Sequence, residues 1–219
     1  DCLGLLSPCN GYAGWWRFEG RDDVAPDAST LRMHGGAGGA FGPSVAGISG
    51  RARDFMYGDV VVVAKHFGLE LQDLTFEAVV RHQNNSGGGV VIEKLMDDNP
   101  LDRVRLGVGP SGQVWVEQQL GFQAYVDFTG PPVDGGWAAV AMAREGALLS
   151  PYTNYVLGQV GLVNDSWIPV GAVRFGEDTP KFHPFRGRLD SIRISNRALS
   201  PDQLLHFPAA SWAPVQTSQ

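Results

Sequence analysis

Long apolar runs are missing from this 219-residue chain, and so is any basic surplus. No stretch reaches the roughly 18 residues that a membrane-spanning helix needs, so no membrane span is expected. Lys and Arg number 17 against 23 Asp and Glu, a net charge of -6. That balance argues against a nucleic-acid partner, because no positive field offsets phosphate charge. Histidine is sparse: His34, His66, His82, His183 and His206 form no metal-spaced pair. No Ser-His-Asp ordering or nucleophile elbow stands out. The glycine run HGGAGGAFG lacks the lysine and the strand-to-helix context of a phosphate loop, and it reads as a flexible loop. A starting methionine and a leader pattern are also lacking, so Asp1 is read as a processed or trimmed end. Cysteine is limited to Cys2 and Cys9. Both lie in DCLGLLSPCNG, where Gly4 and Pro8 allow a tight loop, and no metal-ligand cluster surrounds them. A small disulfide in an oxidising compartment is expected; two unpaired thiols are the alternative.

What the chain does contain is turn chemistry between short β signals. Hydrophobic residues make up 43%, enough for a packed core, and 29 glycines with 14 prolines favour many turns over long helices. Strand signals fall at 14–20, 53–63, 74–81, 90–94, 103–108, 113–118, 122–128, 137–144, 155–163, 168–171 and 187–195, with short ones near 31–34 and 46–49. Gly109-Pro110-Ser111-Gly112 marks a hairpin. Near the end, Ser200 is a natural N-cap with Pro201 at the first helical position, so one short helical turn is expected there. Many short strands with almost no helix give an all-β sandwich or barrel. The expected organisation is an N-terminal disulfide loop over 1–10, one domain over 11–207, and a tail or linker over 208–219, as in a module of a larger multidomain chain.

Alternation within strands supplies candidate site residues. Val114 and Val116 point one way, Trp115 and Glu117 the other. Ala124, Val126 and Phe128 share a face opposite Tyr125 and Asp127. Arg81 lies on the polar face of its strand, and Arg105 opposes Val104 and Leu106. If these strands are neighbours, Trp115, Tyr125, Glu117, Asp127, Arg81 and Arg105 form one polar face with two aromatics. A flat aromatic covers the apolar face of a pyranose, while carboxylates and guanidinium groups bond its hydroxyls. The same pattern also fits an ordinary solvated or loop-covered face. Glu117 and Asp127 would suit glycoside hydrolysis if their carboxyl groups lay roughly 5–10 Å apart. Of Trp15 and Trp16, only one can enter the core, since neighbouring strand residues face opposite ways.

Four segments carry a family resemblance. GWWRFEG at 14–20 with Asp23 and Asp27 looks like an opening strand and its acidic loop; LTFEAVVR at 74–81 looks like a central strand. RLGV at 105–108 with VWVE at 114–117 looks like a middle hairpin, and FRGRLDSIRISNRALS at 185–200 looks like a closing strand. In this order the chain resembles the laminin-G-like, concanavalin-A-like modules of large secreted bacterial proteins. The resemblance implies a two-sheet antiparallel jelly-roll sandwich. It also implies a structural Ca²⁺ between first and last strands, held by Glu19 and Asp190 with Asp23 or Asp27. Alternatively these acids cap turns or pair with Arg17, Arg188 and Arg193. Glucanases of this fold place acids at i, i+2 and i+4 on one strand, and no such triplet occurs here.

A fold does not choose a function. The reading from sequence is a secreted or cell-surface carbohydrate-binding module, its partner a poly- or oligosaccharide or an extracellular protein surface. The alternatives are a polysaccharide-degrading enzyme on the same scaffold and a structural adhesion or assembly module. The first test concerns the N-terminal loop: Cys2 and Cys9 should be found linked by mass spectrometry under non-reducing conditions. A loop this small should contribute only about 2–3 kcal/mol. Two freely alkylated cysteines in native material would refute the disulfide.

Overall fold

The computed structural model describes residues 12–20, 23–38, 42–83, 88–96, 101–121, 123–128 (backbone only), 133, 135–164, 168–177 and 183–205. Cys2, Cys9 and the 208–219 tail lie outside the described residues. The chain begins with β1 (Tyr12–Trp16), β2 (Val24–Ala25), β3 (Gly35–Ala37), β4 (Ser44–Ala46), β5 (Arg51–Phe55) and β6 (Val61–Val63). It continues through β7 (Leu74–His82), β8 (Gly89–Leu95), β9 (Arg103–Val108), β10 (Val114–Leu120), β11 (Gln123–Phe128) and β12 (Trp137–Glu145). It ends with β13 (Leu148–Thr153), β14 (Val156–Leu157), β15 (Gly161–Leu162), β16 (Val173–Phe175) and β17 (Gly187–Ser195). Among the described residues there is no α-helix, only single 3₁₀ turns at Phe67–Leu69 and Pro201–Gln203. The second is the expected C-terminal turn: Ser200 N donates to Gln203 Oε1 at 3.3 Å, the hallmark of a capping box.

Two antiparallel sheets face each other as a jelly-roll sandwich. The first runs β14-β13-β12-β7-β17-β5-β4, with β1 added to β17 and β15 to β13. The second runs β11-β10-β9-β8-β16-β6-β3-β2. Inward residues alternate as their strands require: Phe76, Ala78 and Val80 from β7, Val104, Leu106 and Val108 from β9, and Val114 and Val116 from β10 are all within the buried core. Trp16 is the indole that enters it; its Nε1 donates to Met33 O at 2.8 Å, and its ring tilts against Phe175 at 4.9 Å. Trp15 faces outward and is half-buried.

Several expected strands divide or move. The run DFMYGDVVVV is not one strand: a turn at 56–60 sends β5 to the first sheet and β6 to the second. The signal at 155–163 resolves into two two-residue strands, and 168–171 gives way to β16 just after it. Strand β13, which contains Pro151, carries no clean alternation.

The outward face of the first sheet is covered by the chain itself. Residues 196–205 cross it, and Leu199 and Leu204 pack on Ala141, Ala143 and Tyr152 as a second small apolar cluster. Alanines at these outward positions of β12 leave room for the crossing segment. Polar pins hold it down: Thr75 Oγ1 donates to Arg197 O at 2.8 Å and accepts from Leu199 N at 2.9 Å. Glu77 Oε1 accepts from Leu205 N at 2.7 Å and from Arg193 Nη2 at 2.5 Å, inside a buried ion pair. Tyr155 Oη closes the end by donating to Leu205 O at 2.7 Å.

Beside β1, one carboxylate folds the 27–34 loop. Asp27 is buried. Its Oδ1 accepts from Trp15 N and Ser29 N, both at 2.8 Å; its Oδ2 accepts from Ser29 Oγ at 2.6 Å and Met33 N at 2.8 Å. Asp27→Ala strands four donors, one buried and three partly so, and a buried donor left unsatisfied costs about 1–3 kcal/mol. The variant should therefore lose about 3 kcal/mol or more of unfolding free energy in urea, and Asp27→Asn less. A loss under about 1 kcal/mol for Asp27→Ala would show that the loop folds without this anchor.

Candidate functional site

The second sheet presents a different outward face. Because Val114, Val116, Val104 and Leu106 fill the core, Trp115, Glu117, Arg103, Arg105 and Gly107 stand on the side away from it. Trp115 pairs with Gly107 in the β10–β9 register, and its half-buried indole lies over that glycine. A Cβ at position 107 would come within 2.2 Å of the indole Cζ2, so only glycine leaves the ring this seat. The Arg105 guanidinium lies 5.5 Å from the indole centroid, in cation–π range.

From Trp115 the face continues as a row of fixed charges. Arg105 is ion-paired and hydrogen-bonded to Glu117. In register with Arg105 on β8 stands Glu93, which lies 3.8 Å from Arg103 and 3.7 Å from Arg174 of β16. Arg174 reaches Glu177 at 4.0 Å. Glu93, Arg103, Arg105 and Glu117 are all buried although they face away from the core, and Glu177 is buried as well. Ions removed from water persist only when opposite charges and hydrogen bonds compensate them, and here the signs alternate across four strands. Such a row is a rigid polar floor beside an aromatic.

The expected six-residue face is only partly assembled. Trp115, Glu117 and Arg105 come together. Tyr125 and Asp127 do not join them: β11 pairs Tyr125 with Gln118 and Asp127 with Val116, positions that alternate with Trp115 and Glu117. The reason is the hairpin turn. Leu120 pairs with Gln123 across a two-residue turn, so odd positions of β10 face even positions of β11, and Glu117 stands opposite Val126. Parity counted strand by strand misses this inversion. In the same register Asp127 is not the cross-strand partner of Glu117. Arg81 belongs to β7 of the first sheet, where it is exposed and its Nε donates to Gly135 O at 3.0 Å. It lies on the other side of the sandwich from Trp115. Glu93, Arg174 and Gly107 went unread from sequence. A lone glutamate in GVVIEKL was the available signal, but its meaning depends on its cross-strand neighbours.

The four candidate calcium ligands do not form one site. Among the described residues, no group of three or more His, Cys, Asp or Glu is placed to hold a metal ion. Asp27 spends both oxygens on the donors named above. Asp190 Oδ2 accepts from Ile48 N at 2.6 Å and Ser49 N at 3.1 Å, and Glu19 Oε2 accepts from Arg51 N at 3.0 Å. Asp23 is exposed. In this structure carboxylate oxygens of Asp27, Asp190 and Glu19 accept backbone amides. Asp190 and Glu19 grip the 47–51 turn from two sides, which is the turn-capping alternative. Burial pushes the Asp190 carboxyl up, and the nearby Glu19 charge adds to the rise.

Residues 56–205 match the family model described as the concanavalin A-like lectin/glucanases superfamily. Among curated proteins, none matches the chain in sequence. Among solved structures, domain 4 of AbnA, an extracellular arabinanase of Geobacillus stearothermophilus in complex with arabinotriose, superposes with a TM-score of 0.66. It is 16% identical, and the match covers 88% of this chain and 95% of that one. The CBM40 of the Ruminococcus gnavus IT-sialidase, bound to α2,3 sialyllactose, gives a TM-score of 0.58 at 17% identity over 70% of this chain and 94% of that one. A Trypanosoma rangeli sialidase gives 0.66 at 13% identity over 91% of this chain, but the match spans only 33% of the sialidase. At these identities the likeness speaks for fold alone, and it agrees with the family match. By that match, which takes in well over half of its residues, the chain belongs to the concanavalin A-like lectin/glucanases superfamily.

Proposed function

We propose that this chain is a carbohydrate-binding module of an extracellular protein, and that the outward face of the second sheet around Trp115 contacts the saccharide. The observation that carries this reading is the partly exposed indole seated over Gly107, with the Arg105–Glu117 pair fixed beside it. A saccharide ring offers an apolar face for such an indole and hydroxyls for the charged neighbours. Structural neighbours crystallised with arabinotriose and with sialyllactose support the choice of ligand class. An enzyme reading has less to stand on, because the carboxylates described on this face, Glu117 and Glu93, are engaged with arginines.

Two substitutions test the site against a panel of oligosaccharides by calorimetry. Trp115→Ala should lower affinity for the best ligand by roughly tenfold or more, as loss of an aromatic anchor does. Its stability should fall by only about 1–2 kcal/mol, because the indole is partly solvent-exposed and lies outside the core cluster. Gly107→Ala should weaken the same ligand by displacing the indole, without removing any contacting group. Unchanged affinity in both variants would place the saccharide elsewhere. A stability loss of about 3–5 kcal/mol in Trp115→Ala with binding retained would make the indole part of the core.

A further inference from the structure

On the opposite side of the sandwich, one end of the first sheet gathers arginines. Across β12, β7, β17 and β5, the outward row reads Trp137, Arg81, Arg188, Asp54. Arg81 and Arg188 are therefore direct cross-strand partners, and like charges at such a pair repel. A single described carboxylate flanks the pair: Asp54 Oδ1 lies 3.9 Å from Arg188 Nε, with both side chains about a third exposed. Arg81 is exposed and its Nε hydrogen-bonds the carbonyl of Gly135, which brings no charge. Two residues before Arg188, the exposed Arg186 places its guanidinium 5.9 Å from the ring centroid of Tyr57.

The backbone holds this cluster in place. A Cβ at Gly187, whose φ is +150°, would approach Arg81 O to 2.4 Å, so glycine lets the arginine-bearing segment lie flush against β7. Tyr57 rides on the 56–59 turn, where Asp59 Oδ2 accepts from Met56 N at 2.8 Å and Asp59 N donates to Met56 O at 3.1 Å. On this pinned turn Tyr57 is 71% exposed, among the most exposed large apolar side chains described.

We infer that this end of the first sheet is a second binding site, one for a saccharide bearing an anionic group, carboxylate or sulfate ester. The anion lies between Arg81 and Arg188 and relieves their repulsion through charge-assisted, fork-shaped hydrogen bonds. A sugar ring packs on Tyr57 beside Arg186. A phosphodiester polymer is disfavoured because the chain carries a net charge of -6, which repels a long polyanion while leaving short-range capture of a single charged group possible. The site does not depend on the proposal for Trp115, which lies on the other sheet.

The test titrates the whole chain with an oligogalacturonate, a sulfated oligosaccharide of similar length, the carboxyl-reduced neutral form of the former, and a single-stranded oligonucleotide of equal charge. At least one anionic saccharide should bind about tenfold or more tightly than the neutral form, and raised salt should weaken it. The better of the two identifies the anion. Arg81→Gln with Arg188→Gln should abolish that preference, Tyr57→Ala should weaken binding, and Trp115→Ala should leave it intact. Unchanged thermal midpoints in the arginine and tyrosine variants establish that they remain folded; should the double variant unfold, Arg188→Lys serves instead, keeping charge while losing the fork. Equal affinity for neutral and acidic forms, unchanged binding in folded arginine variants, or an oligonucleotide binding as tightly as the saccharide would each overturn the site. Loss of acidic-saccharide binding in Trp115→Ala alone would move the anion to the second sheet.

Discussion

The first sheet is organised by its last strand. β17 pairs with β7, β5 and β1, so the sheet's centre is supplied by residues close to the end of the chain, and Tyr12 pairs with Ser195. These pairings join residues far apart in the chain and so carry the entropic cost of closing a long loop. Once β17 is in place, three other features follow from its register. Arg193 meets Glu77, Asp190 meets the 47–51 turn, and Arg188 meets Arg81. The bulge between Leu189 and Ile192 resets the pairing with β7 between these contacts. The core side of the sheet and the chemistry of its outer side thus depend on one long-range alignment.

Alternation was readable because each strand carries it locally. Which strands are neighbours, and at what offset, is not a local property. The clearest case is the β10–β11 hairpin, where Leu120 pairs with Gln123, so that odd positions of one strand stand opposite even positions of the other. Arg81 was likewise given its correct face and the wrong sheet. The run at 54–63 concealed a change of sheet for a related reason: Met56 and Tyr57 are apolar, yet they stand exposed on a turn and do not extend the strand. Acidic residues were ambiguous in another way. A carboxylate that binds a cation and one that gathers backbone amides look alike in sequence, and Asp27, Asp190 and Glu19 prove to be amide acceptors. What separates the two is whether the neighbouring chain turns its N–H groups toward the oxygen, which only the folded loops determine.

The two outward faces show what this chain does with polar surface it cannot leave to water. On the first sheet, alanines on β12 and the Glu77–Arg193 pair receive the chain's own C-terminal segment, and that face is largely consumed. Only its far end, beyond the reach of residues 196–205, keeps exposed arginines and Tyr57. On the second sheet, the outward positions carry ion-paired side chains and a half-buried tryptophan. Burying charge on the outside of a sheet stabilises little by itself, since desolvation offsets most of the attraction. The alternating row is better explained by positioning: it removes rotamer freedom from Arg105 and Glu117, so that whatever settles on Trp115 meets groups already in place. A face built for self-association would bury apolar area, and the exposed apolar residues described lie mainly elsewhere, at Leu148, Val156, Leu157 and Leu162 along the β13–β15 edge. The uncovered polar and aromatic positions are therefore where recognition by this fold is to be sought, one set on each side of the sandwich.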